Sequence, residues 1–269
     1  MSVPGSTSGS TRPSPGWLRA WGGIWRLTAG RFLNLRHAAA LAGMVALLLL
    51  IAIWSSSFHR PLTAGQYVGW VCSFYLCFVI PIFVLISGGG AIREDMRPGA
   101  ADYLFTRPVG RPVYLALRYA AHMACTQADY LLAFAVLIGF GLFRGVPGML
   151  SMAPLLLTGQ VAAIATYEAL GFLFGVLTSR YVIVGLGYIA VVELGIGNIP
   201  TQINRIAIAR AVKNMVPPYS AHTGGQVGSW AAAAPTAAAL AAACVVLVAV
   251  AGTFLSFREM AGGESREDL

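Results

Sequence analysis

The stretch PLLLTGQVAAIATYEALGFLFGVLT, residues Pro154–Thr178, decides the fold of this chain. Glu168 is its single charged residue, and about 20 predominantly apolar residues are enough to cross the hydrocarbon core of a bilayer. Inside that core the backbone N–H and C=O groups must bond within the segment, and a helix achieves this. The sequence therefore predicts a membrane-spanning helix at this position.

Five further apolar runs have the same character. Hydrophobic residues make up 57% of the chain and charged residues 10%, whereas soluble domains contain about 25% charged residues. We therefore predict an all-α membrane protein with six transmembrane helices. The predicted spans are Ala38–Ser55, Tyr67–Ile86, Leu117–Phe143, Pro154–Thr178, Tyr181–Gly197 and Ala231–Phe257. The glycines Gly88–Gly90 follow the second span and are predicted to form a flexible exit from it.

The arginines set the predicted orientation. About thirteen basic residues flank the spans on the side that holds both termini, and about five lie on the opposite side. Since cytoplasmic loops carry the excess of Lys and Arg, both termini are predicted to be cytoplasmic. The net charge of +8 is then explained by membrane lipids with anionic headgroups as partners, and it indicates no nucleic-acid binding.

The segments before the first span differ in composition. Residues 1–15 are rich in Ser, Gly, Pro and Thr, which is typical of a disordered tail. In residues 16–36, Trp17, Trp21 and Trp25 recur at helical spacing, with arginines on another face. This pattern predicts an amphipathic helix lying along the cytoplasmic interface, and an irregular anchor is the alternative.

The predicted organisation continues to the C-terminus. Residues 37–257 form the six-span domain, and residues 258–269 form a second cytoplasmic tail. Residues 198–229 form a large last external loop, with a short helix predicted inside Thr201–Val216. Basic residues in that loop indicate a solvated face or, alternatively, a contact with an anionic substrate or partner. They are Arg205, Arg210 and Lys213.

Motifs for common chemistry are absent from the sequence. A P-loop requires GxxxxGK[ST], but the single lysine, Lys213, follows no glycine-rich loop. There is no HExxH and no GxSxG, and the four histidines and four cysteines have no metal-ligand spacing. We therefore predict no catalytic, cofactor-binding or metal site, and we expect that the chain is not an enzyme.

Ionisable residues inside predicted spans are candidates for function, because burying a charge in a bilayer is costly. In the third span, Arg118, His122 and Asp129 share one helix face with Cys125. Glu168 and Glu193 lie in the fourth and fifth spans. These side chains either line a pathway and act in gating, or hold the bundle together. Arg118 is predicted to extend toward the cytoplasmic interface.

The connection between the second and third spans reads IREDMRPGAADYLFTRPVGR, residues 92–111. It is rich in charge, and a short helix is predicted over Ala100–Thr106, ended by Pro108 because the residue before proline avoids the α conformation. A charged cytoplasmic segment with its own helix between two spans is suited to receive force from a soluble partner.

This connection resembles the permeases of the type-2 ABC exporter family, whose pattern is roughly E-x-x-x-G-T-x-x-x-L-L-x-x-P-V-S-R. The matching residues are Glu94, Gly99, Tyr103, Leu104, Pro108, Val109 and Arg111. The departures are Pro98, Ala100 in place of threonine, and Gly110 in place of serine. A second match is Glu193 followed by Pro200 near the end of the fifth span.

The resemblance implies a transmembrane subunit of an ATP-driven exporter in the bacterial cytoplasmic membrane. The segment 92–112 would be a coupling loop whose short helix docks on a separate ABC ATPase, present in two copies and binding ATP and Mg. A second permease copy or a paralogue would complete a dimer with the substrate pathway, and an extracytoplasmic subunit is a further expected partner. Alternating access would be the mechanism of transport.

Two other function classes stay open at this point. The first is a non-transporting membrane scaffold or assembly component that recruits soluble partners through the same basic loop. The second is an intramembrane enzyme that uses Asp129, Glu168 or His122. Nothing in the sequence selects the transported substrate, although the weakly charged bundle favours an amphipathic or lipid-like cargo.

Overall fold

The computed structural model describes residues 17–57, 63–97, 110–198, 207–216 and 230–257. All regular secondary structure within these ranges is helical. The helices are α1 (Trp17–Phe32), α2 (Leu35–Ser57), α3 (Ala64–Asp95), α4 (Arg111–Phe143), α5 (Met149–Leu177), α6 (Tyr181–Gly195), α7 (Ile208–Met215) and α8 (Trp230–Phe257). A 3₁₀ turn, Ile196–Asn198, follows α6.

Five of these helices are long and apolar enough to cross a membrane, namely α2, α3, α4, α5 and α8. The chain is therefore a multi-pass membrane protein, as the sequence predicted. The fifth predicted span corresponds to α6, which is apolar but shorter. A sixth crossing stays a prediction.

The helix α3 is longer than the span predicted for it. It continues past Ile86, through Gly88–Gly90, and ends at Asp95. The prediction of a flexible exit at these glycines is therefore wrong. The reason is tertiary: Gly88 and Gly89 are buried against neighbouring helices, so this part of α3 is held in place by packing.

The core of the bundle is α5, which packs along the second half of α3. Two glycines of α5 allow the backbones to approach closely. A Cβ atom added at Gly171 would lie 2.5 Å from the carbonyl oxygen of Leu85, and one at Gly175 would lie 2.6 Å from that of Gly89. Such close approach through small residues is a common way to join helices in a membrane, where the hydrophobic effect does not drive their association.

Two helices contain π-helical turns. In α3, Val71–Val79 is π-helical between the α-helical parts Ala64–Trp70 and Ile80–Asp95. In α6, the α-helical turn ends at Tyr188 and Ile189–Gly195 is π-helical. Both π segments contact the short helix α7.

The two ends of the bundle are named here after the orientation that the arginines predict. The inner end holds α1, the end of α3 and the beginning of α4, and the outer end holds α7. At the outer end, α7 buries the face formed by Ile208, Ala209, Val212 and Met215. This short helix falls within the predicted Thr201–Val216 and begins at Ile208, and residues 201–206 of the prediction lie outside the described residues.

Several predicted segments lie outside the described residues. They are the tails 1–15 and 258–269, most of the loop 198–229, and the segment with Gly99, Tyr103, Leu104, Pro108 and Val109. The predicted interfacial helix of residues 16–36 corresponds to α1, which ends at Phe32 before α2 begins at Leu35.

Candidate functional site

A buried ion pair joins α3 to α4 at the inner end. Asp95, the last residue of α3, accepts a hydrogen bond from Arg118 Nε at 2.6 Å on its Oδ2 atom, and Tyr114 OH donates to the same oxygen at 2.8 Å. The side chains of Asp95 and Arg118 are each 1% exposed. Because both charges are removed from water, each depends on the other and on its hydrogen bonds for compensation.

The helix α1 takes part in the same network. Arg31 places Nη2 3.2 Å from Asp95 Oδ1 and Nη1 3.0 Å from Glu94 Oε2. Thr28 accepts a hydrogen bond from Arg118 Nη1 at 2.6 Å. These contacts tie α1 to both α3 and α4. The inner cluster, as we call it, consists of Thr28, Arg31, Glu94, Asp95, Tyr114 and Arg118.

The position of Arg118 corrects a prediction. Its side chain does not extend to the interface but is fully buried against Asp95 and Thr28. These two acceptors were not identified from the sequence, because the predicted second span ended before Asp95 and because Thr28 belongs to α1. The signal that was available is the run Arg93-Glu94-Asp95, directly after an apolar segment and facing the arginines of α1 in the predicted topology.

One turn further along α4, His122 binds α5. Its Nδ1 atom lies 2.7 Å from Glu168 Oε1, and its Nε2 atom lies 3.5 Å from Ser87 Oγ on α3. Glu168 is fully buried, and within the described part of the chain its Oε2 atom has no hydrogen-bond partner. The two atoms share a hydrogen bond, which the imidazole donates when its Nδ1 atom carries the proton.

A third pair joins α2 to α4. His37 Nε2 lies 2.6 Å from Asp129 Oδ2, and both side chains are partly exposed. The ring centroid of Phe32, at the end of α1, lies 4.6 Å from the ring centroid of His37 and 5.1 Å from that of His122. The polar residues predicted on one face of α4 thus each have an ionisable partner on a different helix: Arg118 pairs with Asp95 of α3, His122 with Glu168 of α5, and Asp129 with His37 of α2.

A cavity of about 250 Å³ lies between these groups, at the inner end of the bundle. Its lining includes residues of α1 to α4. The lining residues that carry polar or aromatic groups are Arg31, Phe32, His37, Ser87, Glu94, Arg118 and His122. The free thiol of Cys125 is partly buried on α4 and is not among them.

Glu193 lies at the other end of the bundle. Its Oε1 atom accepts hydrogen bonds from the backbone N–H of Ile208 at 3.1 Å and from Tyr188 OH at 2.9 Å. Its Oε2 atom accepts from the backbone N–H of Ala209 at 2.8 Å. The carboxylate thus caps the first turn of α7, where backbone N–H groups lack partners inside the helix.

Of the residues predicted to dock an ATPase, the structure describes two. Glu94 pairs with Arg31 of α1. Arg111, the first residue of α4, donates from Nη1 to the carbonyl oxygen of Ser256 in α8 at 3.4 Å. Both ends of the segment 98–109 are therefore connected to helices other than the two that it joins.

Comparison with known protein families, with curated proteins and with solved structures finds no match for this chain. Among the described residues, no group of three or more His, Cys, Asp or Glu side chains is arranged to hold a metal ion. The arrangement instead offers buried ion pairs between helices, and a small polar cavity beside them.

Proposed function

We propose that this chain is the transmembrane permease subunit of an ATP-driven exporter of the type-2 ABC kind. It acts in the bacterial cytoplasmic membrane with both termini in the cytoplasm, and α6 provides the sixth crossing. Two copies, or this chain and a paralogue, form the substrate pathway. A separate ATPase in two copies binds ATP and Mg and docks on residues 92–112.

The observation that carries this proposal is the inner cluster on both sides of the segment 98–109. Glu94 and Asp95 precede the segment, and Tyr114 and Arg118 follow it. Through Arg31 the same cluster holds α1. A displacement of this segment would therefore act on α1, α3 and α4 together, which is what coupling to a soluble motor requires.

The difference in packing between helices supports a moving part. In the most apolar window of α2, 11% of the residues are buried, against 67% in α5. The exposed apolar side chains of α2 include Leu47, Leu50 and Ile53. A second copy or lipid can cover this face, and α2 can shift without separating the close contact of α3 with α5.

The energy for such a shift comes from the ATPase. A ligand drives a conformational change only through its different affinity for the two states. ATP binding would favour the closed ATPase dimer, and the docked segment would transmit that preference to the helices. The chain would then alternate between states open to the two sides of the membrane.

The first test is affinity purification of the chain from its native membrane in mild detergent, with trapped nucleotide and mass spectrometry of the partners. We expect a P-loop ATPase at one copy per permease. Deleting residues 98–109 should remove the ATPase and leave membrane insertion intact. Deleting residues 2–15, which lie on the same predicted side, is the matched control and should keep the ATPase bound.

Two results would contradict the proposal. If the ATPase still copurifies with the variant that lacks residues 98–109, the docking assignment is wrong. If no ATPase copurifies with the unaltered chain, a membrane scaffold that recruits other soluble partners replaces the exporter subunit.

A further inference from the structure

Nitrogen-bearing side chains line the inner cavity, and most of the carboxylates that pair with them are not part of the lining. The nitrogen-bearing side chains are Arg31, His37, Arg118 and His122. Their partners Asp95, Asp129 and Glu168 are not part of the lining. Among the described residues, Glu94 is the lining carboxylate, and it is half-exposed at the rim. The lining therefore presents mainly hydrogen-bond donors to a ligand in the cavity.

Donor groups of the lining are left over after the internal contacts are made. Arg118 uses Nε for Asp95 and Nη1 for Thr28, whereas Nη2 has no hydrogen-bond partner among the described residues. Arg118 is fully buried. Most buried polar atoms are hydrogen-bonded, because an unpaired one loses its bonds to water without replacement. The unpaired guanidinium nitrogen is therefore a donor, on a residue of the lining, that an acceptor group could satisfy.

The two histidines also belong to the lining. His122 uses Nδ1 for Glu168, and its Nε2 atom lies near Ser87 Oγ. His37 uses Nε2 for Asp129, which leaves Nδ1. A ring nitrogen that carries a proton can donate to a ligand, and the hydroxyl of Ser87 can donate as well. These groups lie in the lining together with the guanidinium groups of Arg31 and Arg118.

The size and place of the cavity limit the ligand. Drug-sized ligands occupy pockets of about 300–1,000 Å³, and this cavity holds about 250 Å³. It can accommodate a compact headgroup rather than a whole large substrate. The ring of Phe32 and the side chain of Ile86 supply apolar surface next to the donors. The cavity lies beside α1, at the end of the bundle that is predicted to meet the cytoplasmic headgroups.

We propose that the inner cavity binds an anionic phosphate group, either as the headgroup of an acidic lipid or as a free phosphate ester. A planar guanidinium and phosphate oxygens form strong, directional hydrogen bonds. The phosphate accepts from Arg118, Ser87 and His122 and approaches Arg31 at the edge of the cavity. This site does not depend on transport or on an ATPase, since it is built from the contacts of this chain alone.

The test measures binding of three probes to the purified full chain in neutral detergent. Dioctanoyl phosphatidic acid carries the phosphate and two acyl chains, and dioctanoyl phosphatidylcholine has the same chains with a zwitterionic headgroup. Glycerol 3-phosphate carries the phosphate without acyl chains. We expect phosphatidic acid to bind at least about tenfold more tightly than phosphatidylcholine, the difference expected from one charge-assisted contact.

Two pairs of variants locate the binding. Ser87→Leu fills the cavity and should weaken the binding of phosphatidic acid about tenfold or more. Ser73→Leu changes an exposed residue of the same helix and should leave this binding unchanged. Arg31→Gln removes one guanidinium of the lining, and Arg26→Gln changes an exposed arginine of the same helix. The second pair decides the question if Ser87→Leu fails to fold.

Each outcome has a defined meaning. Competition by glycerol 3-phosphate assigns the site to free phosphate esters, and binding of phosphatidic acid without such competition assigns it to a lipid headgroup. Equal affinity for phosphatidic acid and phosphatidylcholine would overturn the proposal. So would unchanged affinity in both folded variants of the cavity, Ser87→Leu and Arg31→Gln.

Discussion

The helices α5 and α2 are both apolar, yet they are joined to the bundle in different ways. Gly171 and Gly175 bring α5 within backbone contact of α3. The helix α2 is mostly exposed, and the pair His37–Asp129 connects it to α4. Apolarity thus accounts for the presence of both helices in a membrane, while small residues and polar pairs account for how firmly each is held.

One part of the molecule is held by close backbone contact between helices, and another part is held mainly by side chains. The backbones of α3 and α5 interlock over several turns. In contrast, α1 and α2 combine a few apolar contacts, such as those of Ile24 and Leu48, with ion pairs and hydrogen bonds at the inner end. The partly exposed contacts of Arg31 and His37 can open and close with little change in the core. The following substitutions distinguish the two parts.

The largest effect is expected at the buried ion pair. Arg118→Met leaves Asp95 buried without its closest positive partner, and breaking a buried pair in this way costs about 3–5 kcal/mol. The measurement is the free energy of unfolding in detergent. Arg26→Met, at an exposed position of α1, is the control. The double variant Arg118→Met/Asp95→Leu should recover much of the loss, because it leaves no unpaired charge at this pair.

Equal stability of Arg118→Met and Arg26→Met would mean that α3 and α4 are not joined by this pair. The contact of Arg118 with α1 would then add little to stability, and α1 would still be held by Arg31 through Glu94 and Asp95.

The next effect is expected in the contact between α3 and α5. In Gly171→Ala the new Cβ meets the carbonyl oxygen of Leu85, so the helices must separate, at a cost of about 1–3 kcal/mol. Gly43→Ala in α2 is the matched control, since no described atom lies within 4 Å of the added Cβ. It should be neutral or slightly stabilising, by up to about 1 kcal/mol. Thermal unfolding of both variants in the same detergent gives the comparison.

If Gly43→Ala destabilises the chain as much as Gly171→Ala does, α2 is packed as tightly as α5. The greater exposure of α2 would then arise because its neighbours are outside this chain, and not because α2 packs loosely.

The smallest effect is expected between α2 and α4. Asp129→Asn weakens the contact with the partly exposed His37, so its cost should be about 1 kcal/mol or less. Hydrogen exchange should increase in α2 and stay unchanged in α5. A double-mutant cycle with His37→Gln isolates the coupling energy between the two side chains. Faster exchange in α5 would show that this contact supports the core as well.

The spans of this protein could be predicted from length and apolarity, and the end of α3 could not. Glycines are weak helix formers, so Gly88–Gly90 suggested that the helix stops. In the folded chain the missing side chains are what allow α5 and Tyr181 to approach. The favourable packing outweighs the local preference, and it involves residues far away in the sequence.

The polar residues of α4 could be predicted, but their partners could not. The spacing of Arg118, His122 and Asp129 placed them on one face, since it follows the helical period. Their partners Asp95, Glu168 and His37 come from three different helices. Which helix lies beside which face depends on the arrangement of the bundle. For the same reason, the capping of α7 by Glu193 was not foreseen.

The length of α6 has a consequence for the lipid around it. Its α-helical part has 8 residues and its π-helical part has 7, which corresponds to roughly 22 Å at 1.5 Å per residue. The hydrocarbon core of a typical bilayer is about 30 Å thick. The 3₁₀ turn Ile196–Asn198 adds about 6 Å. In the proposed six-span arrangement this crossing is therefore slightly shorter than the hydrocarbon core, and the mismatch grows with acyl chain length. Membrane thickness would therefore shift the conformational balance of this protein, and lipid composition would act on it without binding at any site.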